Sequence, residues 1–133
     1  METIDPTTGR KIRFFNEHSF SDAESIVNQA ERSFQSWRKF SFKERAQNMD
    51  KAVGLLMKNK KSYARLMAEE MGKPFMQGIA EVEKCAWVCN FYAQEAKYYL
   101  SAQPIGADTA KSYIRYEPLG VVLAIMPWNF PFW

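Results

Sequence analysis

The sequence predicts an α/β fold in which a helical part precedes the strands. Over residues 21–100, apolar side chains recur at the three- and four-residue spacing of amphipathic helices. Residues 112–117 then alternate between two faces, as a partly exposed strand does. Residues 121–125 form a short aliphatic run, which is typical of a strand buried on both faces of a parallel sheet. With 133 residues, 47% of them hydrophobic, the chain is expected to form one domain or part of one.

Two capping-box patterns mark where the first and second helices are predicted to begin. The pairs are Ser21–Glu24 and Ser41–Glu44, with the spacing that lets each side chain bind the backbone N–H of the other residue. Apolar residues follow each pair at helical spacing. In the first helix these are Ile26, Ala30, Phe34 and Trp37, and in the second they are Ala46, Met49, Val53, Leu56 and Met57.

The second helical pattern has a basic break at residues 58–61 and then continues until Gly72 and Pro74 stop it. A third helix is predicted from about Phe75 to Leu100, ahead of Pro104. We interpret the basic break as the solvated end of a helix rather than as a phosphate-binding patch. No stacking aromatic residues are interleaved with its lysines, as they would be in a nucleic-acid binder.

The charge and hydropathy patterns argue against several classes of protein. The 18 basic and 15 acidic residues leave a net charge of +3, and they are dispersed, so no nucleic-acid partner is expected. No run approaches the roughly 18 apolar residues of a membrane span. The amino terminus lacks the basic and apolar regions of a signal peptide. We therefore predict a cytoplasmic protein with no membrane partner.

The two cysteines, Cys85 and Cys89, are predicted to be buried, reduced thiols. Their four-residue spacing places them on one helix face among apolar residues. The one histidine, His18, lies far upstream, so no metal-ligand set accompanies them and no metal site is predicted. An intermolecular or redox role is the alternative interpretation.

A proline-containing loop follows the predicted buried strand. Pro127 and Pro131 bracket Trp128, Asn129 and Phe130, and each restricts the backbone on both of its sides. Open α/β sheets bind their ligands at the carboxyl ends of strands, so this loop is a candidate part of an active site. Asn129 can donate hydrogen bonds there from its amide. Asparagine is also a common turn residue, and that is the alternative role.

The segment Pro118–Trp133, PLGVVLAIMPWNFPFW, resembles the part of the NAD(P)-dependent aldehyde dehydrogenase superfamily that opens its dinucleotide-binding sheet. Further marks resemble the family in the same order along the chain. They are IDPTTG at residues 4–9, Trp37 ahead of KERA at residues 43–46, and EMGKP at residues 70–74. Residues 80–89, AEVEKCAWVC, followed by FYA at residues 91–93, are most similar to the succinate-semialdehyde dehydrogenase branch.

The resemblance implies how the chain is organised. Residues 1–104 would be the amino-terminal helical part of the dinucleotide-binding domain, and residues 105–119 would belong to an oligomerisation β-hairpin. Residues 120–133 would be the first Rossmann-like strand and the PWNFP loop. The chain would then be an amino-terminal fragment of a homodimeric or homotetrameric enzyme. The family's catalytic cysteine and glutamate base would lie beyond Trp133, so the fragment alone is expected to be inactive.

The resemblance also implies roles for the loop. Asn129 matches the family's oxyanion-stabilising asparagine, which is a catalytic residue. Ile125, Met126, Pro127 and Trp128, together with Asn129, match the stretch that lines the channel for NAD or NADP, and Phe130 would face the substrate tunnel. The implied reaction oxidises a small aldehyde, in particular succinate semialdehyde, to the carboxylic acid through a cysteine thiohemiacetal. The alternative is a non-catalytic short form that acts as a helical interaction module.

Overall fold

The computed structural model describes residues 1–106 and 111–133. These ranges form a helix-rich structure with small antiparallel strands. In chain order the elements are β1 (Glu2–Ile4), β2 (Lys11–Phe14), α1 (Phe20–Trp37), α2 (Phe42–Met71), α3 (Phe75–Leu100), β3 (Gln103–Ile105) and β4 (Ser112–Ile114). Strand β1 pairs with β2, and β3 pairs with β4, both antiparallel. The predicted third helix is confirmed at both of its ends.

The core of the described structure lies between α2 and α3. Its buried apolar side chains come from these two helices: Ala64, Met67, Val82, Cys85 and Ala86. The helices approach closely at Gly78, where an added Cβ would lie 3.0 Å from the Cα of Ala64. Glycine suits this packed position, because a Cβ would fit only if Ala64 gave way by a few tenths of an ångström.

The predicted capping box of α2 is confirmed, whereas α1 is capped by a different pair of residues, two positions earlier than predicted. Ser41 caps α2 as expected, and its Oγ accepts a hydrogen bond from the Glu44 N–H at 3.2 Å. The first helix is capped by Ser19, whose Oγ accepts from the Asp22 N–H at 3.2 Å. Ser21 and Glu24 were the wrong pair, because the backbone is already helical at Phe20 and only Ser19 has the extended conformation of a cap.

The predicted break at residues 58–61 is also wrong, because α2 is continuous through it. Lys60 is half-buried, and its Nζ lies 2.6 Å from Oε1 of Glu83 on α3. The basic run is thus the middle of a helix, and one of its lysines contributes to the pairing of the two helices. Its position within an amphipathic helix could have been inferred from the apolar residues that flank it on both sides.

The amino-terminal hairpin of β1 and β2 was not predicted. Its turn is held by Asp5, whose carboxylate accepts a hydrogen bond from the Thr7 N–H at 2.7 Å, and by Gly9, which has a φ of +70°. The turn contacts the connection between α2 and α3, since a Cβ added to Gly72 would lie 3.2 Å from Cγ of Pro6. The strands are only three and four residues long, which is too short for a clear alternation to show in the sequence.

The strands predicted for residues 112–117 and 121–125 are shorter or absent. Only Ser112–Ile114 is strand, because its partner β3 begins at Gln103, just after α3 ends. Residues 121–125 form no strand, and Leu123 and Ile125 are 85% and 87% exposed. A strand needs a neighbour for its backbone groups, and within the described ranges no segment pairs with these residues. No helix among the described residues has the length and apolar content needed to cross a membrane.

Candidate functional site

The segment from Met126 to Trp133, which we call the PWNFP loop, folds into two consecutive turns. The Phe130 N–H donates to the Pro127 carbonyl at 3.3 Å, and the Trp133 N–H donates to the Phe130 carbonyl at 3.2 Å. Pro131 stands at the second position of the latter turn, where its fixed φ favours the bend. The sequence prediction of a stiff loop between two prolines agrees with this geometry.

A buried lysine side chain contacts this loop from its protein-facing side. Lys73 lies in the connection between α2 and α3, directly after Gly72, which ends α2 in the left-handed conformation with a φ of 73°. Its Nζ donates to Oε2 of Glu81 on α3 and to the backbone carbonyl of Asn129, the latter at 2.8 Å. The same Nζ lies 4.0 Å from the centroid of the Phe130 ring, a distance at which a cation is attracted to the ring face.

Glu81 pairs with Lys73 and also binds the carboxyl-terminal end of the loop. Its Oε1 accepts a hydrogen bond from the Phe132 N–H at 2.9 Å, so both carboxylate oxygens have partners. The side chains of Lys73 and Glu81 are only 6% and 2% exposed. Breaking such a buried pair by removing one partner typically costs about 3–5 kcal/mol, because the remaining charge is left uncompensated. The loop is therefore attached to the helices by charged groups that have no easy alternative partner.

Cys85 completes the contacts of the loop with α3. Its Sγ donates to the Phe132 carbonyl at 3.1 Å, and the Phe132 ring lies 5.1 Å from the ring of Tyr63 on α2. Burial, and next the negative charge of Glu81, raise the pKa of the Cys85 thiol. Cys85 is thus a protonated, inward-facing thiol, unsuited to be a nucleophile. Both cysteines are free, and Cys85 is buried as predicted, whereas Cys89 is only half-buried.

The side chains to which the resemblance gave roles are all at least partly exposed, although the Phe130 ring also contacts the buried Lys73. Asn129 and Pro127 are exposed, and the exposed fractions of Ile125, Met126, Trp128 and Phe130 are 87%, 47%, 77% and 47%. The Asn129 amide makes no hydrogen bond to any residue in 1–106 or 111–133, whereas its carbonyl is held by Lys73. The predicted roles in catalysis, cofactor binding and substrate contact remain predictions. In the described ranges, no group of histidine, cysteine or carboxylate side chains could hold a metal ion.

Sequence reasoning missed Lys73 and Glu81 as residues of this site, although both lie within the motifs that carried the resemblance. A signal was present for Glu81. It shares a helix face with Gly78, Val82 and Cys85, all of which are buried, and a charged residue on an apolar face requires a partner. Nothing in the sequence indicated that the partner would be Lys73 or that the pair would bind the loop.

A model of the aldehyde dehydrogenase family matches residues 1–133. The chain is 46% identical over 131 residues to a probable succinate-semialdehyde dehydrogenase [NADP(+)] of a Synechocystis species, and 39% identical over 135 residues to a succinate-semialdehyde dehydrogenase [NADP(+)] of Mycobacterium avium. These matches cover 98% of this chain and 29% of each relative.

Among solved structures, the fold matches the succinic semialdehyde dehydrogenase of Streptococcus pyogenes in complex with NADP+. The TM-score is 0.92 at 30% identity, covering 98% of this chain and 29% of that one. The chain thus spans less than a third of the length of the relatives it matches, and it corresponds to the amino-terminal portion of their fold. Since the family model matches over the whole sequence, this chain belongs to the aldehyde dehydrogenase family.

Proposed function

We propose that residues 1–133 contribute the amino-terminal part of an enzyme that oxidises succinate semialdehyde to the dicarboxylic acid with NADP+ or NAD+. One observation supports a role for the loop in this reaction. The Asn129 backbone carbonyl is fixed by a buried lysine, while the Asn129 side-chain amide is exposed and unpaired within the described ranges. An anchored residue with a free amide is a preorganised hydrogen-bond donor. The choice of aldehyde rests on the names of the relatives.

In the proposed reaction, a cysteine thiolate adds to the aldehyde carbonyl, and negative charge develops on the carbonyl oxygen. The Asn129 amide donates a hydrogen bond to that oxygen and stabilises it before the hydride leaves. Bound NADP+ or NAD+ would supply the acceptor for this hydride. Water, activated by the general base, would then hydrolyse the resulting thioester, which releases the carboxylic acid and the free cysteine. The thiolate is not Cys85, whose raised pKa keeps it protonated at neutral pH. We propose that the nucleophile and the general base are supplied by other parts of the complete fold.

The loop is compatible with the proposed cofactor channel. Residues 120–133 contain no carboxylate side chain that would repel phosphate groups. Met126 and Trp128 present exposed apolar surface, against which a flat ring could pack. Ile125 to Asn129 are therefore the proposed cofactor-binding residues, and Phe130 the proposed substrate contact. The cytoplasm remains the proposed location.

The proposal is tested with the purified full-length enzyme that carries this sequence, by following reduction of NADP+ and NAD+ spectrophotometrically. We expect higher kcat/KM for succinate semialdehyde than for butanal, which has the same chain length but no carboxylate. Residues 1–133 expressed alone should reduce neither cofactor. Equal rates with both aldehydes would contradict the proposed substrate. Activity of the isolated chain that Cys85→Ser abolishes would contradict the reading of that thiol as structural.

A further inference from the structure

We propose that Lys73 and Glu81, together called the Lys73–Glu81 clamp, are positioning residues that hold Asn129 in its reactive orientation. The inference rests on the proposed function, and it extends that function to two residues that lie more than forty positions away in the sequence. Both side chains are almost completely buried, so neither is expected to contact the aldehyde or the cofactor.

The clamp and the loop satisfy each other's hydrogen-bonding groups. A lysine ammonium has three donors and a carboxylate has two accepting oxygens. The Lys73 Nζ uses its donors towards Glu81, the Asn129 carbonyl and the Phe130 ring. Glu81 uses one oxygen for Lys73 and the other for the Phe132 N–H. Without the loop, each charged group would lose a partner inside a nearly water-free site, which is costly.

The clamp also determines the orientation of the loop. The clamp binds the loop at two backbone points on either side of Pro131, with a donor at the Asn129 carbonyl and an acceptor at the Phe132 N–H. Two attachments of opposite polarity determine the direction of the peptide as well as its position. Because the Asn129 backbone is held from the carbonyl, the direction in which its side chain leaves the loop is restricted while the amide itself stays available.

The segments that carry Lys73 and Glu81 are rigid. Gly72 ends α2 with its N–H donating to the Ala68 carbonyl at 3.0 Å, which fixes where Lys73 leaves the helix. Glu81 lies one turn after Gly78, which packs tightly against Ala64 of α2. A site built on packed helices holds its geometry better than one built on loops alone. Misplacing a reacting group by about 1 Å can cost roughly 10²-fold in rate.

The test is a double-mutant cycle in the full-length enzyme, read as the single-turnover rate of hydride transfer. Lys73→Met removes the charge and keeps the length of the side chain. We expect it to lower that rate roughly 10-fold to 10²-fold, with a smaller change in KM for the aldehyde. In an Asn129→Ala background, the same substitution should lower the rate less than about threefold, because the group that it positions is gone.

Lys60→Met is the matched control. It breaks the half-exposed Lys60–Glu83 pair, which also joins α2 to α3 but makes no hydrogen bond to residues 126–133. We expect it to change the rate less than about twofold, since such pairs contribute little. If Lys73→Met does not fold, Glu81→Gln replaces it in the same cycle, because glutamine keeps one acceptor for the Phe132 N–H, while its NH2 group can no longer accept from Lys73.

The outcomes separate this inference from the function on which it rests. Equal losses from the clamp substitution in both backgrounds would show that Lys73 and Glu81 act only on folding, and would overturn the clamp. An Asn129→Ala enzyme with an unchanged rate of hydride transfer would overturn the role of Asn129 itself. A rate loss that disappears in the Asn129→Ala background supports both.

Discussion

Asn129 presents two groups with separate tasks in this structure. Its carbonyl belongs to the scaffold, since it accepts a hydrogen bond from the buried Lys73 at 2.8 Å. Its amide lies on the exposed side of the loop and is available to a ligand. The two interpretations of this asparagine from sequence, as a turn residue and as a hydrogen-bond donor, are therefore compatible: the turn holds the backbone and leaves the side chain free.

At the residue scale, we predict that Asn129→Ala lowers the turnover of the complete enzyme by roughly 10²–10³, the usual loss for one oxyanion donor. Nucleotide affinity should change much less, because the amide acts on charge that develops during the reaction. Steady-state kinetics and a nucleotide titration of the same preparation measure both. Asn28→Ala, on the exposed surface of α1, is the control and should leave turnover unchanged. An equal loss in nucleotide affinity and turnover would assign Asn129 to binding instead.

At the scale of elements, the α2–α3 pair is the platform for the loop. It contains all the buried apolar side chains of the described residues, together with Glu81, and Lys73 follows α2 directly. By contrast, α1 has no buried residue at all. The position of the loop therefore depends on how closely α2 and α3 approach, and Gly78 sets that distance.

Gly78→Ala is predicted to destabilise the protein even though alanine is the better helix former. The added Cβ would lie 3.0 Å from the Cα of Ala64, and we expect about 2–3 kcal/mol of strain, which exceeds the gain of about 1 kcal/mol in helix propensity. Gly54→Ala in α2 is the matched control. Its Cβ would meet nothing within 4 Å, so it should stabilise by about 0.5–1 kcal/mol. Urea unfolding midpoints of the two variants measure this difference in stability. Shifts of the same sign would refute the explanation that Gly78 is needed for close packing of α2 and α3.

The capping box of α2 should make stability depend on pH in a defined direction. Hydrogen bonds from the Ser41 hydroxyl and then its backbone N–H lower the pKa of Glu44 below its ordinary value of 4.5. A group whose pKa is lowered by folding stabilises the protein above its ordinary pKa, and this stabilisation is lost as the pH falls below that value. The capping boxes of α1 and α2 both act in this direction, because the Ser19 side chain and backbone lower the pKa of Asp22.

We therefore predict that Glu44→Gln lowers the free energy of unfolding at pH 7. The effect should be smaller at pH 4, which is below the ordinary pKa of this carboxyl group, because the stabilising contribution of the native carboxylate is then being lost. Glutamine can still accept the hydrogen bond of the capping box but does not titrate. Urea midpoints at the two pH values measure the difference. Asp50→Asn, on the exposed surface of the same helix, serves as the control for losing one negative charge. An effect of Glu44→Gln that is independent of pH would exclude the titration of this cap.

At the scale of the whole molecule, apolar exposure is concentrated after the last strand. Leu119, Leu123 and Ile125 are 98%, 85% and 87% exposed, and Tyr113 on β4 is 58% exposed. Exposed apolar surface of this extent is typically covered by other protein segments. The comparisons agree with that explanation, since the chain spans 29% of the relatives' length. We propose that the complete enzyme covers residues 119–125 with the rest of its sheet and residues 112–117 with another subunit.

The complete enzyme is accordingly predicted to be a dimer or tetramer whose interface includes Ser112–Glu117. Strand β4 pairs with β3 through one edge, and a strand edge is a ready site for pairing with another chain. Ile114→Pro removes the backbone donor of β4 opposite Gln103 of β3, so it disrupts the strand and should lower the molar mass measured by light scattering. Asn16→Pro, in the exposed connection between β2 and α1, is the control and should leave the mass unchanged. If the oligomer persists in the Ile114→Pro enzyme with unaltered stability, β4 is not part of the interface.

The sequence by itself determined the family, the three helices and the loop. Helical periodicity and the stop at Gly72 and Pro74 depend on neighbours three or four residues apart, so they can be read along the chain. Cap positions were less secure, because Ser19 and Ser21 both satisfy the local pattern and only the backbone conformation selects one of them. The PWNFP motif could be recognised because its prolines restrict the backbone without any help from distant residues.

Only the tertiary structure decided which residues lie beneath the loop and which strands exist. Lys73 and Asn129 are 56 positions apart, and their contact depends on the packing of α2 against α3, which no local pattern encodes. A strand depends in the same way on a partner, and residues 121–125 have the composition of a strand but no neighbour within the described ranges to pair with. Local propensity is a property of the sequence, whereas pairing, burial and the joining of charges are properties of the assembled chain.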